Sequence, residues 1–194
     1  MSLIYLASES PRRSQLLDQI GVPHRIRPVD IDESRVGQES PQEYVCRLAA
    51  AKAETLWKRL SDDERLPVLG SDTTVALGDE IFGKPQNRDE GIAMLLHLSG
   101  RTHDVFTAVA LRSSLSSECN LRLSASKVTF GKLDAQDCAA YWETGEPQGK
   151  AGGYAVQGRA AAFITHISGS YSGIMGLPLA ETAELLRKVL GARY

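Results

Sequence analysis

The chain has 194 residues, enough for one domain with a sizeable core and too many for a scaffold that must be stapled by disulfides or metal. Its 22 Lys+Arg against 24 Asp+Glu leave a formal charge of −2, which argues against a generic nucleic-acid coat or a polybasic membrane binder, both of which need excess positive charge. No apolar run approaches the ~20 residues of a membrane span, Glu9, Arg12 and Arg13 arrive too early for a signal peptide, and Cys46, Cys119 and Cys138 are too dispersed for a disulfide framework or zinc site, so a cytoplasmic location is expected.

The elements alternate in type. Leu3–Ala7 reads as a short buried strand, followed by a helix with Ser10 as N-cap, Pro11 at its first position and Gly21 as its stop. An extended piece is expected around Ile26–Val29. Ser40-Pro41-Gln42-Glu43 is a capping box, and the apolar stripe behind it runs Val45, Leu48, Ala49, Ala53, Leu56, Trp57, Leu60. Val68–Leu77 reads as a strand that turns at Gly78-Asp79 and returns through Ile81 and Phe82.

A helix over Arg88–Leu98 follows Asn87. Val105–Leu111 and Leu121–Ala125 alternate as an antiparallel pair joined across a polar run at 113–117. The apolar phase slips before Val128 and Phe130, which predicts a bulge or bend. Asp134 opens a helix through Trp142, Ala161–Ile167 is the last strand, and Pro178 starts the final helix with Leu185, Leu186 and Val189. No repeat or linker divides the chain, so residues 1–194 are expected to form one domain.

Four stretches resist explanation by packing alone. Ser8-Glu9-Ser10-Pro11-Arg12-Arg13 puts two arginines at a helix N-terminus, unfavourable for the dipole unless an anion shares the site; a solvated first turn is the other reading. Lys52 falls on an apolar stripe, where it either snorkels or finds an acidic partner, for instance in the run Asp30-Ile31-Asp32-Glu33. Asp72 stands in a strand of Val, Leu and Thr, near the returning Gly83-Lys84-Pro85; it is either a catalytic or metal-binding carboxylate or the partner of a structural salt bridge with Lys84. Lys150-Ala151-Gly152-Gly153-Tyr154-Ala155-Val156-Gln157-Gly158 combines small residues with a cation and an amide, suiting close backbone approach to a ligand or simply a mobile loop. Many cations with a few carboxylates fit a polyphosphate plus a divalent metal. Walker A, Rossmann, Gly-x-Ser-x-Gly and His-Glu-x-x-His patterns are absent, and His24, His97, His103 and His166 are scattered.

Ser8-x-Ser10-Pro11-Arg12-Arg13, Lys52, Gly70-x-Asp72-Thr73, Gly83-Lys84-Pro85, the Lys150–Gly158 stretch and Gly169-Ser170-Tyr171 with Met175-Gly176-Leu177-Pro178 resemble, in order and over essentially the whole chain, the Maf family. The resemblance implies a house-cleaning nucleoside triphosphate pyrophosphatase, a hydrolase acting on the α–β phosphoanhydride. It implies an α/β fold of two lobes around a long curved mixed sheet, similar to inosine triphosphatase, with the active cleft between the lobes. It further implies a divalent cation (Mg or Mn), a homodimer, and no nucleic-acid or membrane partner.

Arg12, Thr73 and Gln157 resemble the branch that prefers dTTP and UTP, with modified pyrimidine nucleotides as further candidate substrates. The alternatives are a 7-methyl-GTP pyrophosphatase, or a nucleotide-binding regulator of septum formation without turnover; the latter would gain nothing from carboxylates at Glu33 and Asp72 unless it also held metal. Glu9 departs from a frequent glycine of the family.

The roles implied are Asp72 as general base or metal ligand and Glu33 as metal ligand. Arg13, Lys52 and Lys84 would stabilise phosphate charge, with Ser8 donating to a phosphate oxygen. Ser10 and Lys150 would bind phosphate, and Arg12, Thr73 and Gln157 would read the pyrimidine edge. A positive cleft in an acidic shell is then expected.

Overall fold

The computed structural model describes residues 3–116 and 118–191; the remaining positions, including Ser117 at the end of the expected 113–117 connection and the first two residues of the leader reading, lie outside it. The helix starts follow their caps. In α2 (Pro41–Arg59) the Ser40 side chain accepts from the Glu43 backbone and the Glu43 carboxylate accepts from the Ser40 backbone. Asn87 caps α3 (Arg88–Leu98), and Asp134 with Asp137 forms a second capping box on α4 (Ala135–Trp142). In α1 (Pro11–Gln19) Pro11 takes the first turn, but the Ser10 side chain caps nothing; the Ser10 N–H donates instead to Ser8 Oγ.

The fold is α/β, with a seven-stranded mixed sheet in the order β2-β1-β3-β5-β6-β7, and β4 also paired to β3. The strands are β1 (Ile4–Leu6), β2 (His24–Ile26), β3 (Val68–Leu77), β4 (Glu80–Phe82), β5 (Thr102–Arg112), β6 (Asn120–Phe130) and β7 (Ile164–Ser168). β1 runs parallel to β2 and β3; every other pairing is antiparallel. One edge of β3 is full, bonded to β5 from Val68 to Ala76. The other edge is shared: β1 pairs at Val68 and Leu69, and β4 pairs at Val75 to Leu77. Between them, residues 70–74 have no strand partner on that side among the described residues. The sheet forks there, as β1 leaves toward Ser8 and β4 leaves toward Lys84.

Period-two alternation sorts the core. Tyr5, Val68, Ala76, Phe106, Ala108 and Ala110 face α2 through Val45, Ala49, Ala53, Leu56 and Trp57. On the opposite face Ile4, Leu6, Leu69, Val109 and Leu111 meet α1 and α6 (Leu179–Leu190). Farther along that face, Val75, Val105, Val128 and Phe130 pack with α3, α4 and Tyr154.

Four expectations are corrected. The phase slip in β6 is not a bulge before Val128: pairing with β5 is continuous from Thr102↔Thr129 to Leu111↔Asn120, and the one irregularity lies between Thr129 and Phe130, against β7. Leu123 and Ala125 are exposed while Ser124 and Ser126 are buried. Residues 169–173 fold over both serines, and Ser126 is satisfied there: its Oγ accepts from the Ser170 N–H at 2.9 Å. The second strand starts earlier than expected, because pairing of His24 to Ile4 selects it, while its own side chains stay half-exposed. The last strand begins later, because Arg159–Ala162 turns as a short 3-10 segment whose N–H groups are taken by Glu146. A short helix α5 (Tyr171–Met175), capped by Ser170, was not expected.

Candidate active site

The fork in the sheet opens into a cleft of about 1370 Å³. All eleven residues singled out from the sequence line it: Ser8, Ser10, Arg12, Arg13, Glu33, Lys52, Asp72, Thr73, Lys84, Lys150 and Gln157. Asp72 projects from the unpaired stretch of β3. α2 lies so close to that stretch that a Cβ added at Gly70 would sit 2.3 Å from the Ala49 carbonyl oxygen. That contact brings Lys52 over Asp72, with Nζ 2.6 Å from Oδ1. The same ammonium is 2.7 Å from Glu33 Oε1, and Lys84 Nζ is 3.6 Å from Glu33 Oε2. Lys52 is thus neither snorkelling nor idle, and the partner of Asp72 is Lys52 rather than Lys84.

The two carboxylates differ in character. Burial pushes the Asp72 carboxyl above its ordinary range, against the opposing charges of Lys52 and Arg13. Burial also raises Glu33, but the hydrogen bond and charge of Lys52, with Lys84, outweigh it and hold Glu33 low. Both contact the same Lys52 ammonium, and Mg²⁺ is commonly held by one or two carboxylates with substrate phosphates and water completing its shell. The donor set fits such an ion only with that outside help, since no group of three or more His, Cys, Asp or Glu side chains converges among the described residues.

Arg13 forms the second group. Its Nε donates to the Gly176 carbonyl oxygen at 2.8 Å, Nη1 to Ser8 Oγ at 2.9 Å and Nη2 to Thr73 Oγ1 at 3.3 Å. Gly176 adopts φ +118, a conformation that favours glycine, and its carbonyl also accepts from Ser71 Oγ. Ser8 Oγ accepts from both Arg13 and the Ser10 N–H, so its own hydroxyl proton is free to face the cleft. Thr73 Oγ1 is engaged by Arg13 and by Thr107, whose hydroxyl donates to the Gly173 carbonyl oxygen at 2.7 Å.

Lys150 and Gln157 line the cleft from the glycine stretch, and Arg12, in the first turn of α1, lines it within charge range of Lys150. The glycine stretch is packed against the fold: residues 152–156 are buried, and the Gly152 N–H donates to the Gly83 carbonyl oxygen at 3.0 Å. Burial lowers Arg12 and Lys150, and their proximity lowers Lys150 further; Glu146 opposes both shifts. The Glu9 side chain, the family departure, is exposed.

Several supporting residues carried no sequence signal. Tyr44 donates through its hydroxyl to the Glu33 carbonyl oxygen at 2.8 Å, and Arg47 donates to the Ser34 carbonyl oxygen at 2.9 Å while pairing with Glu39. Together they fix the segment that carries Glu33. Helical spacing alone does not say that these polar residues of α2 reach back to a preceding loop. The three thiols are free; Cys46 and Cys119 are half-buried and Cys138 is buried.

The description of the Maf-like protein family matches residues 3–189. A relative from Alkalilimnicola ehrlichii named dTTP/UTP pyrophosphatase is 52% identical over 186 residues, covering 94% of this chain and 91% of that relative. One of the same name from Xanthomonas campestris pv. campestris is 52% identical, covering 95% and 97%. Another, from Pseudoalteromonas atlantica, is 47% identical, covering 96% and 97%. The solved structure of the Staphylococcus aureus Ham1 protein is a more partial likeness, over 66% of this chain and 71% of that one, at 15% identity and a TM-score of 0.48. Matched from residue 3 to residue 189, and sharing about half its positions with full-length relatives, the chain belongs to the Maf family.

Proposed function

We propose that the chain hydrolyses dTTP and UTP to the nucleoside monophosphate and pyrophosphate. The observation that carries this is the convergence on one cleft of the Lys52-bridged carboxylates, the Arg13–Ser8 pair, Arg12 and Gln157. The names of the relatives support the same substrates.

In this reading water attacks the α-phosphorus. A bond forms from the water oxygen to phosphorus, the α–β anhydride bond breaks, and pyrophosphate departs. Asp72 takes the proton from water; its raised affinity for protons suits a base that must accept one in a dry site. Glu33 and Asp72 would hold a divalent cation, which would supply Lewis-acid stabilisation of phosphate charge. Lys52 keeps the two carboxylates together and, with Arg13 and Lys84, offsets charge on the phosphates and leaving group. The free Ser8 proton and the Ser10 hydroxyl address phosphate oxygens, and Lys150 adds charge. Arg12, Gln157 and Thr73 read the pyrimidine; a uracil-type ring needs a donor facing O4, which arginine and glutamine supply.

The working unit is one domain with the cleft between two lobes: α1 and α6 on one side, α3, α4 and the glycine stretch on the other. The family resemblance supports a cytoplasmic homodimer, and the free thiols are in keeping with a reducing compartment. No helix among the described residues is long and apolar enough to cross a membrane.

A panel of nucleoside triphosphates assayed with Mg²⁺ or Mn²⁺ for pyrophosphate and orthophosphate tests the reading. Pyrophosphate from dTTP and UTP, in preference to CTP and 7-methyl-GTP, is the expected result. Orthophosphate alone, or faster turnover of 7-methyl-GTP than of UTP, would overturn it.

A further inference from the structure

We propose that Glu146 is a positioning residue for base recognition: it stands behind the cleft wall and clamps the backbone on either side of Gln157. It does not line the cleft, and neither does Tyr141. Glu146 Oε2 accepts from the Arg159 N–H at 2.9 Å, and Oε1 accepts from the Ala160 N–H at 3.3 Å and from the Tyr141 hydroxyl at 2.6 Å. The Tyr141 oxygen in turn accepts from the Ala155 N–H at 3.2 Å. The chain is therefore fastened at Ala155, two residues before Gln157, and at Arg159, two residues after it.

Gly158 presses directly on the clamp. A Cβ added there would overlap the Glu146 carboxyl group, so a larger residue would have to push the carboxylate off the Arg159 and Ala160 N–H groups. Gln157 itself is exposed toward the cleft at the crest of the fastened segment. The charge of Glu146 also acts favourably on both Arg12 and Lys150, two cations that line the cleft near it. One side chain thus sets the backbone under the amide and balances the neighbouring guanidinium.

Three donors converge on this carboxylate. Glutamine in its place has one acceptor oxygen and turns an NH₂ toward at least one of those donors, leaving it unsatisfied. The contribution is to placement of the base rather than to bond breaking, so it should separate from effects at the phosphate end. The inference rests on the dTTP/UTP pyrophosphatase reading above.

The test compares wild type, E146Q and Y141F for kcat and KM with UTP and CTP, together with inhibition by inorganic pyrophosphate, on proteins checked by circular dichroism and thermal melting. In E146Q the KM for UTP should rise about tenfold while kcat changes by less than about threefold. The UTP/CTP ratio of kcat/KM should fall about tenfold, with pyrophosphate inhibition no weaker than in wild type. Y141F removes one hydroxyl and should move the same quantities in the same direction by about threefold, which keeps the proposal testable should E146Q fail to fold. A folded variant that retains wild-type UTP/CTP discrimination, or loses pyrophosphate affinity in step with UTP affinity, overturns the proposal. A wild-type enzyme with no preference for UTP over CTP overturns the underlying reading and this inference with it.

Discussion

Lys52 is held between two carboxylates that burial treats differently, and most of the site's chemistry follows from that. Asp72 is deep in the fork and resists ionisation; Glu33, 39% exposed in its side chain, ionises easily. A base at Asp72 becomes available only above the ordinary aspartate value of ~3.9, because burial holds its proton on. The acid limb of kcat/KM should therefore have its midpoint above that value.

The linkage sign is opposite to that of a normal salt-bridged aspartate. A folded-state pKa above the unfolded one means a stability contribution that is present below the unfolded pKa and lost as pH rises through the folded one. Ionised Asp72 is therefore a cost to the fold at neutral pH. Asp72→Asn should lower turnover by ~100-fold or more yet melt no lower than wild type at neutral pH, with its relative advantage shrinking as pH falls. Thermal melts across that range check it; a variant that melts well below wild type at neutral pH, or one that retains near-normal turnover, contradicts the account.

At the scale of elements, the site depends on one close approach. Gly70 lets the α2 backbone touch β3, and Lys52 reaches Asp72 because of it. Gly70→Ala puts a methyl group against the Ala49 carbonyl oxygen and the Ala53 N–H group. Overpacking of this kind typically costs about 1–3 kcal/mol, which urea unfolding should register together with a loss of kcat from displacement of Lys52. Unchanged stability would mean that α2 is not seated as described.

Caps and turns are written locally, so α2, α3, α4 and the Gly78 hairpin were legible from Ser40, Asn87, Asp134 and Gly78-Asp79. Gly70 carries no such mark, because its φ is ordinary and only its neighbour in space explains it. β6 misled for a related reason. Apolar alternation at Leu121, Leu123 and Ala125 pointed to the wrong inward face, since Ser124 and Ser126 are buried against residues more than forty positions away. The site residues themselves were legible because unpaired charge in apolar company is costly and so conspicuous. Tyr44, Arg47 and Glu146 were not, because each acts on a backbone that the sequence does not place beside it.

At the scale of the molecule, the expected positive cleft in an acidic shell needs adjustment. The five cations Arg12, Arg13, Lys52, Lys84 and Lys150 do line one cleft, but Glu9, Asp30, Glu33 and Asp72 line it too. The cleft is therefore close to balanced as a whole, and positive in places: around Arg13 and Ser8, and around Arg12 and Lys150. Such an arrangement suits a short polyanion that brings a divalent cation with it, since the carboxylates that repel the phosphates alone are those that could hold the ion. The fork in the sheet gives this distribution its shape, with the buried carboxylate at the crotch and cations on both branches.

The central claim is that water adds to the α-phosphorus at this fork. Hydrolysis of UTP in ¹⁸O-labelled water, followed by mass spectrometry of both products, tests it most directly. The account predicts one ¹⁸O in the uridine monophosphate and none in the pyrophosphate; label in the pyrophosphate, or in released orthophosphate, would contradict it.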